Sequence, residues 1–297
     1  MRLYKIIEKK ELAPKIYSIE VEAKRVAKSA KPGQFIIVRI DEKGERIPLT
    51  VADYNEKKGT ITIVVQAVGS STTRMVDLKA GDYFMDFVGP LGQPSEFVEE
   101  DLESLKKMKL MFVAGGVGAA PVYPQVKWLC ERGIKPEVII GGKNKDFILL
   151  ENEMTKLGAK VYPCTDDGSY GFHGLVTNKL KELIDNGEKY DRVITIGPMI
   201  MMNFVAKLTK EYKIPTIVSL NTLMVDGTGM CGACRVTVGG ETKFTCVDGP
   251  EFDGHLVDFG EAMKRQSLYK TEEGKRLHKI EEEKEGHVCH IGAGGNA

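Results

Sequence analysis

One segment constrains the fold of this chain more than any other: Met111-Phe112-Val113-Ala114-Gly115-Gly116-Val117-Gly118-Ala119-Ala120-Pro121. An apolar run of strand length ends in glycines, and a helical pattern follows. Val122, Val126 and Leu129 share one face of residues 121–132, and Gly133 supplies the stop. Such a turn lets backbone approach a pyrophosphate, while the helix N-terminus offers free N–H groups and the positive end of its dipole. Tight turns need glycine for purely structural reasons too. Here, however, two more apolar runs, 137–140 and 193–196, end in Gly141-Gly142 and in Gly197-Pro198-Met199. Strand-like runs at 109–114, 137–140, 161–162, 193–196 and 216–220 alternate with helical stretches at 121–132, 176–184 and 199–212. Fully apolar strands alternating with helices predict a parallel, doubly wound α/β sheet whose glycine-marked strand ends line one crevice.

The first 98 residues follow a different rule. Short β-branched or alternating runs at 16–22, 34–40, 61–67 and 83–88 are separated by turn signals at 31–33, 57–59 and 80–82. This predicts an antiparallel β-barrel. Arg46-Ile47-Pro48-Leu49-Thr50 and Gly69-Ser70-Ser71-Thr72-Thr73 combine a guanidinium with hydroxyls and backbone N–H groups, which can hold phosphate oxygens or simply form surface turns. The acidic stretch 96–103 marks a boundary. The expected organisation is a barrel over 1–98, an α/β domain over 99–220, a Gly- and Cys-rich segment over 221–260, and a charged helical tail over 261–297.

A length of 297 residues suits two domains with an appendage. With 42 Lys+Arg against 42 Asp+Glu, no basic excess points to nucleic acid. No run of about 18 apolar residues is present, so no membrane span is expected. The first residues lack a secretory pattern, which leads to the expectation of a cytoplasmic protein. In a reducing compartment six cysteines are not disulfides. Three of them, Cys231, Cys234 and Cys246, cluster within 221–260, after Asp226-Gly227-Thr228-Gly229-Met230. Thiolates two residues apart in a glycine-rich loop can grip one centre while backbone amides point at the sulfurs. Zinc and iron–sulfur both remain open on this pattern, although a closed zinc site usually takes four Cys or His and the loop holds no His. Cys130 sits in a helical pattern and reads as core packing, Cys164 ends a strand, and His287, Cys289 and His290 form a small group in the tail.

Taken in order, R-x-P-L-T, G-S-S-T-T, Gly89-Pro90-Leu91-Gly92, the glycine turn, Gly-Pro-Met and C-x2-C-x11-C resemble the ferredoxin–NADP reductase superfamily. Within it they resemble the iron–sulfur flavoprotein subunits related to the electron-transfer subunit of dihydroorotate dehydrogenase. Similar members serve NADH-dependent ferredoxin:NADP oxidoreductase, which is electron-bifurcating, and sulfide dehydrogenase. The likeness spans about residues 1–260. It implies FAD, NAD(H) and a 2Fe–2S cluster. Arg46, Pro48, Leu49 and Thr50 would contact FAD, Gln66, Ala67 and Val68 would line the flavin, and Gly69, Ser71 and Thr72 would hold its pyrophosphate. Gly115, Gly116, Gly118 and Ala119, with Gly197, Pro198 and Met199, would receive the nicotinamide dinucleotide. Asp166, beside Asp167, would lie on the adenosine side and disfavour a 2′-phosphate, against the pull of Lys143 and Lys145. Asp226, Cys231, Cys234 and Cys246 would hold the cluster. The resemblance implies a larger flavin and iron–sulfur partner subunit using NADPH and ferredoxin; the tail, charged and outside the likeness, is expected to be a docking element for it.

Two positions depart from the family pattern. Ile196 stands where many relatives have Cys, so no thiol assists hydride geometry there. Asp226 stands where the first cluster ligand is usually Cys, and the alternatives of ligand and turn residue both fit its position before Gly227. The alternative functions are an electron-transfer subunit of dihydroorotate dehydrogenase or of sulfide dehydrogenase, and a non-enzymatic zinc-containing binding protein.

Overall fold

The computed structural model describes residues 4–288. Among these residues, strands β1 (Tyr4–Ala13), β2 (Ile16–Glu22), β3 (Phe35–Arg39), β4 (Ile47–Asn55), β5 (Thr60–Gln66), β6 (Tyr83–Phe84) and β7 (Asp86–Leu91) form a nearly closed antiparallel barrel in the order β6-β1-β2-β5-β4-β3-β7. Alternation fills it: Ile19 and Val21 of β2 and Ile61, Ile63 and Val65 of β5 point inward and are fully buried. Helices α1 (Lys24–Ser29) and α2 (Ser70–Asp77) add Val26, Ala27 and Met75 to this core. The run expected at 83–88 divides at Met85, whose N–H turns away to donate to the carbonyl of Arg39 at 3.0 Å. That pivot carries the chain from one end of the strand order to the other. β1 lacks a clear period in the sequence because its residues are mostly solvent-facing, with Ile6 and Ala13 its buried members.

The second sheet contains β8 (Leu110–Gly115), β9 (Glu137–Gly142), β10 (Lys160–Thr165), β11 (Phe172–His173), β12 (Arg192–Ile196) and β13 (Thr216–Ser219), all parallel, in the order β11-β10-β9-β8-β12-β13. After the short helix α3 (Leu102–Leu105), helices α4 (Ala119–Cys130) and α5 (Glu151–Leu157) cover one face; α6 (Val176–Asp185) and α7 (Met199–Glu211) cover the other. Residues 110–114 of β8 are buried on both faces, which is why they read as a continuous apolar run. Strand order reverses at β8, so the switch-point crevice lies above the carboxyl ends of β8 and β12.

The barrel meets this layer through α4, which packs on β4. Lys127 Nζ bonds Asp53 Oδ1 at 2.8 Å, and Phe97 stacks tilted against Trp128 with centroids 5.4 Å apart. The Cys-rich segment builds the hairpin β14 (Arg235–Val238) and β15 (Glu241–Phe244), then adds β16 (Glu251–Asp253) antiparallel to β13 as an edge of the large sheet. Helix α8 (Phe259–Gln266) packs on α7, and α9 (Lys270–Val288) packs against α2. Among the described residues no helix is long and apolar enough to cross a membrane. Of the tail group, Cys289 and His290 and the side chain of His287 lie outside what the structure describes.

Candidate functional site

At the crevice the glycines act through close packing. A Cβ on Gly118 would lie 2.1 Å from the carbonyl oxygen of Ile196, and one on Gly115 would lie 2.4 Å from Met201 Sδ. The turn after β8 therefore nests directly on the end of β12, with Gly197 against the Gly115 backbone. Gly116 is different: its φ is +54° and nothing lies within 4 Å of a Cβ placed there. That position faces open space and needs glycine for its left-handed backbone. Ala119 begins α4 fully buried, Pro198 precedes α7, and the Met199 side chain is buried with Met202 and Val218. Farther along the edge, the N–H groups of Asp166 and Asp167 donate to the carbonyls of Gly142 (3.1 Å) and Lys143 (3.3 Å). The acidic pair and Lys143 thus share one corner. A hydrogen bond from the Ser169 side chain holds the Asp167 carboxyl below its ordinary range.

On the barrel, Pro48, Leu49 and Thr50 lie along β4 opposite Ile37, Ile36 and Phe35. Gln66 ends β5, which contacts the 116–118 turn, so barrel and crevice residues converge. Ala67 follows, with its N–H on the Lys15 carbonyl at 2.9 Å, and Val68 is exposed. The Thr72 hydroxyl accepts from the N–H groups of Val68 (3.1 Å) and Gly69 (3.0 Å) and so shapes the entry to α2. Ser71 donates to Glu45. Arg46 reaches the Cys-rich loop: Nε donates to the Val225 carbonyl at 2.8 Å and Nη2 to that of Asp226 at 3.3 Å.

In that loop the β14–β15 hairpin explains why Cys234 and Cys246 meet. They flank its paired ends, Arg235 and Phe244, and their sulfurs lie 3.2 Å apart. Both are buried against Phe35, Ile37 and Leu91 of the barrel side. Thr245 locks the hairpin base by donating its hydroxyl to the Cys234 carbonyl at 2.9 Å, and Arg265 of α8 holds the Ala233 carbonyl at 2.9 Å. Asp226 and Cys231 form the second pair: the Cys231 thiol donates to Asp226 Oδ1 at 3.0 Å. That bond, with Thr228 Oγ1 at 2.8 Å and Met230 N–H at 2.9 Å on Oδ2, holds the Asp226 carboxyl well below the usual range. Gly229 N–H donates to Cys246 Sγ at 3.2 Å, an amide aimed at a sulfur. Two donor pairs, thiol with carboxylate and thiol with thiol, supported by an amide, are the donor types an iron–sulfur centre takes, and among the described residues no three Cys, His, Asp or Glu side chains close on a single metal ion. Met230 at the loop tip is 89% exposed, with Val225 and Val247 also exposed beside it.

Cys130 and Cys164 pack into the cores. Burial pushes the Cys164 thiol up to about 12, and it packs with Val176 and Leu180. Burial likewise raises Cys130, which packs against the core under α4. Sequence reasoning did not single out Thr245 and Arg265, whose contacts with the loop depend on the hairpin register and on α8. No spacing signal links either residue to the thiols.

Residues 112–207 match the oxidoreductase NAD-binding domain, and residues 221–258 match the iron–sulfur cluster binding domain of dihydroorotate dehydrogenase B. The chain is 43% identical over 271 residues to a dihydroorotate dehydrogenase B (NAD(+)) electron transfer subunit homolog of Thermotoga maritima, covering 91% of this chain and 93% of that one. This chain belongs to the dihydroorotate dehydrogenase B electron-transfer-subunit family. It is 63% identical over 281 residues, 94% of this chain and 95% of the other, to an uncharacterised protein encoded in the adh 3′ region of Clostridium beijerinckii. It superposes with a TM-score of 0.86 and 40% identity on a chain of the NADH-dependent reduced ferredoxin-NADP oxidoreductase, studied for flavin-based electron bifurcation, covering 94% of this chain and 98% of that one. The electron-transfer-subunit family thus supplies the frame expected from the motifs: an oxidoreductase chain of the ferredoxin–NADP reductase-like fold that uses FAD, NAD(H) and an iron–sulfur cluster.

Proposed function

We propose that this chain is the small subunit of an electron-bifurcating NADH-dependent ferredoxin:NADP oxidoreductase, and that it works beside a larger flavin and iron–sulfur subunit that handles NADPH and ferredoxin. The observation that carries the reading is the juxtaposition at the barrel edge. Arg46 of the R-x-P-L-T strand reaches into the loop that holds the Asp226–Cys231 and Cys234–Cys246 pairs, while the glycine crevice abuts the end of β5. Likeness to the NADH-dependent reduced ferredoxin-NADP oxidoreductase chain supports the choice of complex.

Bound FAD would take electrons in pairs from NADH and release them singly to a 2Fe–2S cluster. The chain's own residues make that sequence spatially coherent. Gly115, Gly116, Gly118 and Ala119 would admit the nicotinamide dinucleotide at a helix N-terminus, with Gly197, Pro198 and Met199 forming the opposite lip. Pro48, Leu49, Thr50, Gln66, Ala67 and Val68 would line the flavin, and Gly69, Ser71 and Thr72 would bind its diphosphate. Arg46 would neutralise phosphate charge and, through the Val225 and Asp226 carbonyls, set the loop against the flavin side. Asp166 with Asp167 would repel a 2′-phosphate and select NADH. Asp226, Cys231, Cys234 and Cys246 would hold the cluster. Exposed Met230, Val225 and Val247 give the loop an apolar rim suited to a partner surface.

Anaerobic purification of the chain with its native partner tests the assignment. Recovery of a larger flavin and iron–sulfur subunit, with NADPH-dependent ferredoxin reduction only when NAD+ is present to accept the second electron of each pair, is the expected result. Recovery of a pyrimidine-oxidising subunit would assign the chain to dihydroorotate dehydrogenase instead.

A further inference from the structure

The tail helix takes part in a pocket that the motif readings do not reach. An open cavity of about 870 Å³ is lined by residues of the 41–45 turn, by Ser70, Ser71 and Arg74 of α2, and by Arg276 and Lys279 of α9. Arg276 and Lys279 are three residues apart and so share a face of the helix. Four basic side chains line the cavity against three carboxylates, giving it an excess of positive charge. Two of those carboxylates are already engaged. Asp41 pairs with Arg74, and Glu45 receives both the Ser71 hydroxyl and the Arg276 guanidinium, one on each oxygen. Lys279 has no ion pair among the described residues. A hydroxyl from the first turn of α2 and a guanidinium from α9 therefore converge on one anionic group, the arrangement that also receives phosphate oxygens.

We propose that α9 is the outer wall of the FAD site: Arg276 and Lys279 hold the diphosphate and adenylate half of the dinucleotide, and Glu45 yields Ser71 and Arg276 to the phosphates when FAD enters. The inference rests on the placement of FAD along Gly69–Thr72 and assigns the tail to that same site. It explains why a mostly exposed, charged helix folds back on α2 instead of projecting from α8. It also makes FAD retention depend on a segment beyond the family's matched cluster domain, which ends at residue 258.

The test compares full-length parent with the double variant Arg276→Ala/Lys279→Ala, each stripped of flavin and titrated with FAD and with FMN by fluorescence quenching. Two partly exposed cations on a diphosphate predict about a tenfold loss of FAD affinity, diminished by added salt. FMN, which lacks the adenylate and the second phosphate, should lose far less. Circular dichroism and the NADH-site spectrum of the variant report whether the fold is kept, and Arg276→Lys should restore part of the affinity. Unchanged FAD affinity, or equal losses for FAD and FMN, would overturn the proposal. A variant that binds FAD normally yet no longer associates with the larger subunit would assign α9 to docking alone. A parent that binds no flavin at all would sink the functional reading itself, which keeps the two failures distinct.

Discussion

The dinucleotide crevice and the cysteine loop are both built from glycine-rich turns, but they recruit chemistry in opposite ways. The crevice is a site of backbone: Gly115, Gly118 and Gly197 matter because nothing projects from them, and a single added carbon on Gly118 collides with the Ile196 carbonyl. The loop is a site of side chains: on the proposed function Asp226, Cys231, Cys234 and Cys246 act through the atoms they carry, and the hairpin pairs two of them while Arg46 holds the Asp226 carbonyl. One site is broken by addition, the other by removal. Substitutions of each kind should therefore separate the two functions.

The largest expected effect lies in the loop. Cys234→Ala removes a buried thiol from the Cys234–Cys246 pair and should abolish iron–sulfur absorbance and iron content, while NADH still bleaches the flavin. Asp226→Cys should instead retain the cluster with a lower reduction potential, because a thiolate is the softer and more covalent donor. An unchanged potential in a redox titration would make Asp226 a turn residue.

Gly118→Ala comes next and should do the reverse. The new methyl group has only backbone to push against, costing on the order of 1–3 kcal/mol of stability. It should also slow flavin reduction by NADH sharply while the cluster's spectrum stays intact. Rapid-mixing kinetics with unaltered NADH dependence would contradict the nested-turn account.

A smaller effect is expected at the corner of the crevice. Asp166→Asn with Asp167→Asn removes the charge proposed to repel a 2′-phosphate and leaves Lys143 and Lys145 in place. The NADH-over-NADPH ratio of kcat/KM should fall, by about tenfold for a change of 1.4 kcal/mol. A ratio that does not move would remove the acidic pair from cofactor selection.

The smallest effect belongs to the seam between the two sites. Glu251 of β16, which joins the cysteine-rich segment to the parallel sheet, accepts from Ser95 Oγ at 2.9 Å and Gln125 Nε2 at 2.8 Å. Enclosure by protein pushes its carboxyl up to about 7 despite those two bonds. A carboxyl raised on folding binds its proton more tightly in the native state, so it lowers stability as pH rises from the unfolded value, near 4.3, through about 7. Glu251→Gln should flatten that part of the pH–stability curve measured by denaturant unfolding. A curve that keeps its slope would place the dependence elsewhere.

The same contrast between backbone and side-chain sites governs what could be read in the sequence. The β8 turn was legible because a fully buried strand must be apolar and its turn must be glycine, both local requirements. The Cys-x2-Cys spacing was legible for the same reason. β1 was not, since its exposed charges hide any period, and the break of 83–88 into two strands depends on the Arg39 carbonyl that Met85 finds in three dimensions. Arg46 is the instructive case. Its motif points to phosphate, while the structure shows its guanidinium on the carbonyls of Val225 and Asp226, a contact across 179 and 180 residues that no local pattern encodes. The return of α9 onto α2 is likewise a tertiary fact, carried by Glu45 and Arg276.

On the proposed function, electrons pass from NADH through flavin to a two-iron cluster held by the Asp226–Cys231 and Cys234–Cys246 pairs. Anaerobic titration of the reconstituted full-length chain with NADH, followed by visible absorbance and EPR, tests it directly. Loss of flavin absorbance accompanied by the EPR signal of a reduced 2Fe–2S cluster, with the signal absent in Cys234→Ala, is the predicted result. A colourless protein that binds one zinc and gives no signal, or a flavin that bleaches while an intact cluster stays oxidised under excess NADH, would contradict it.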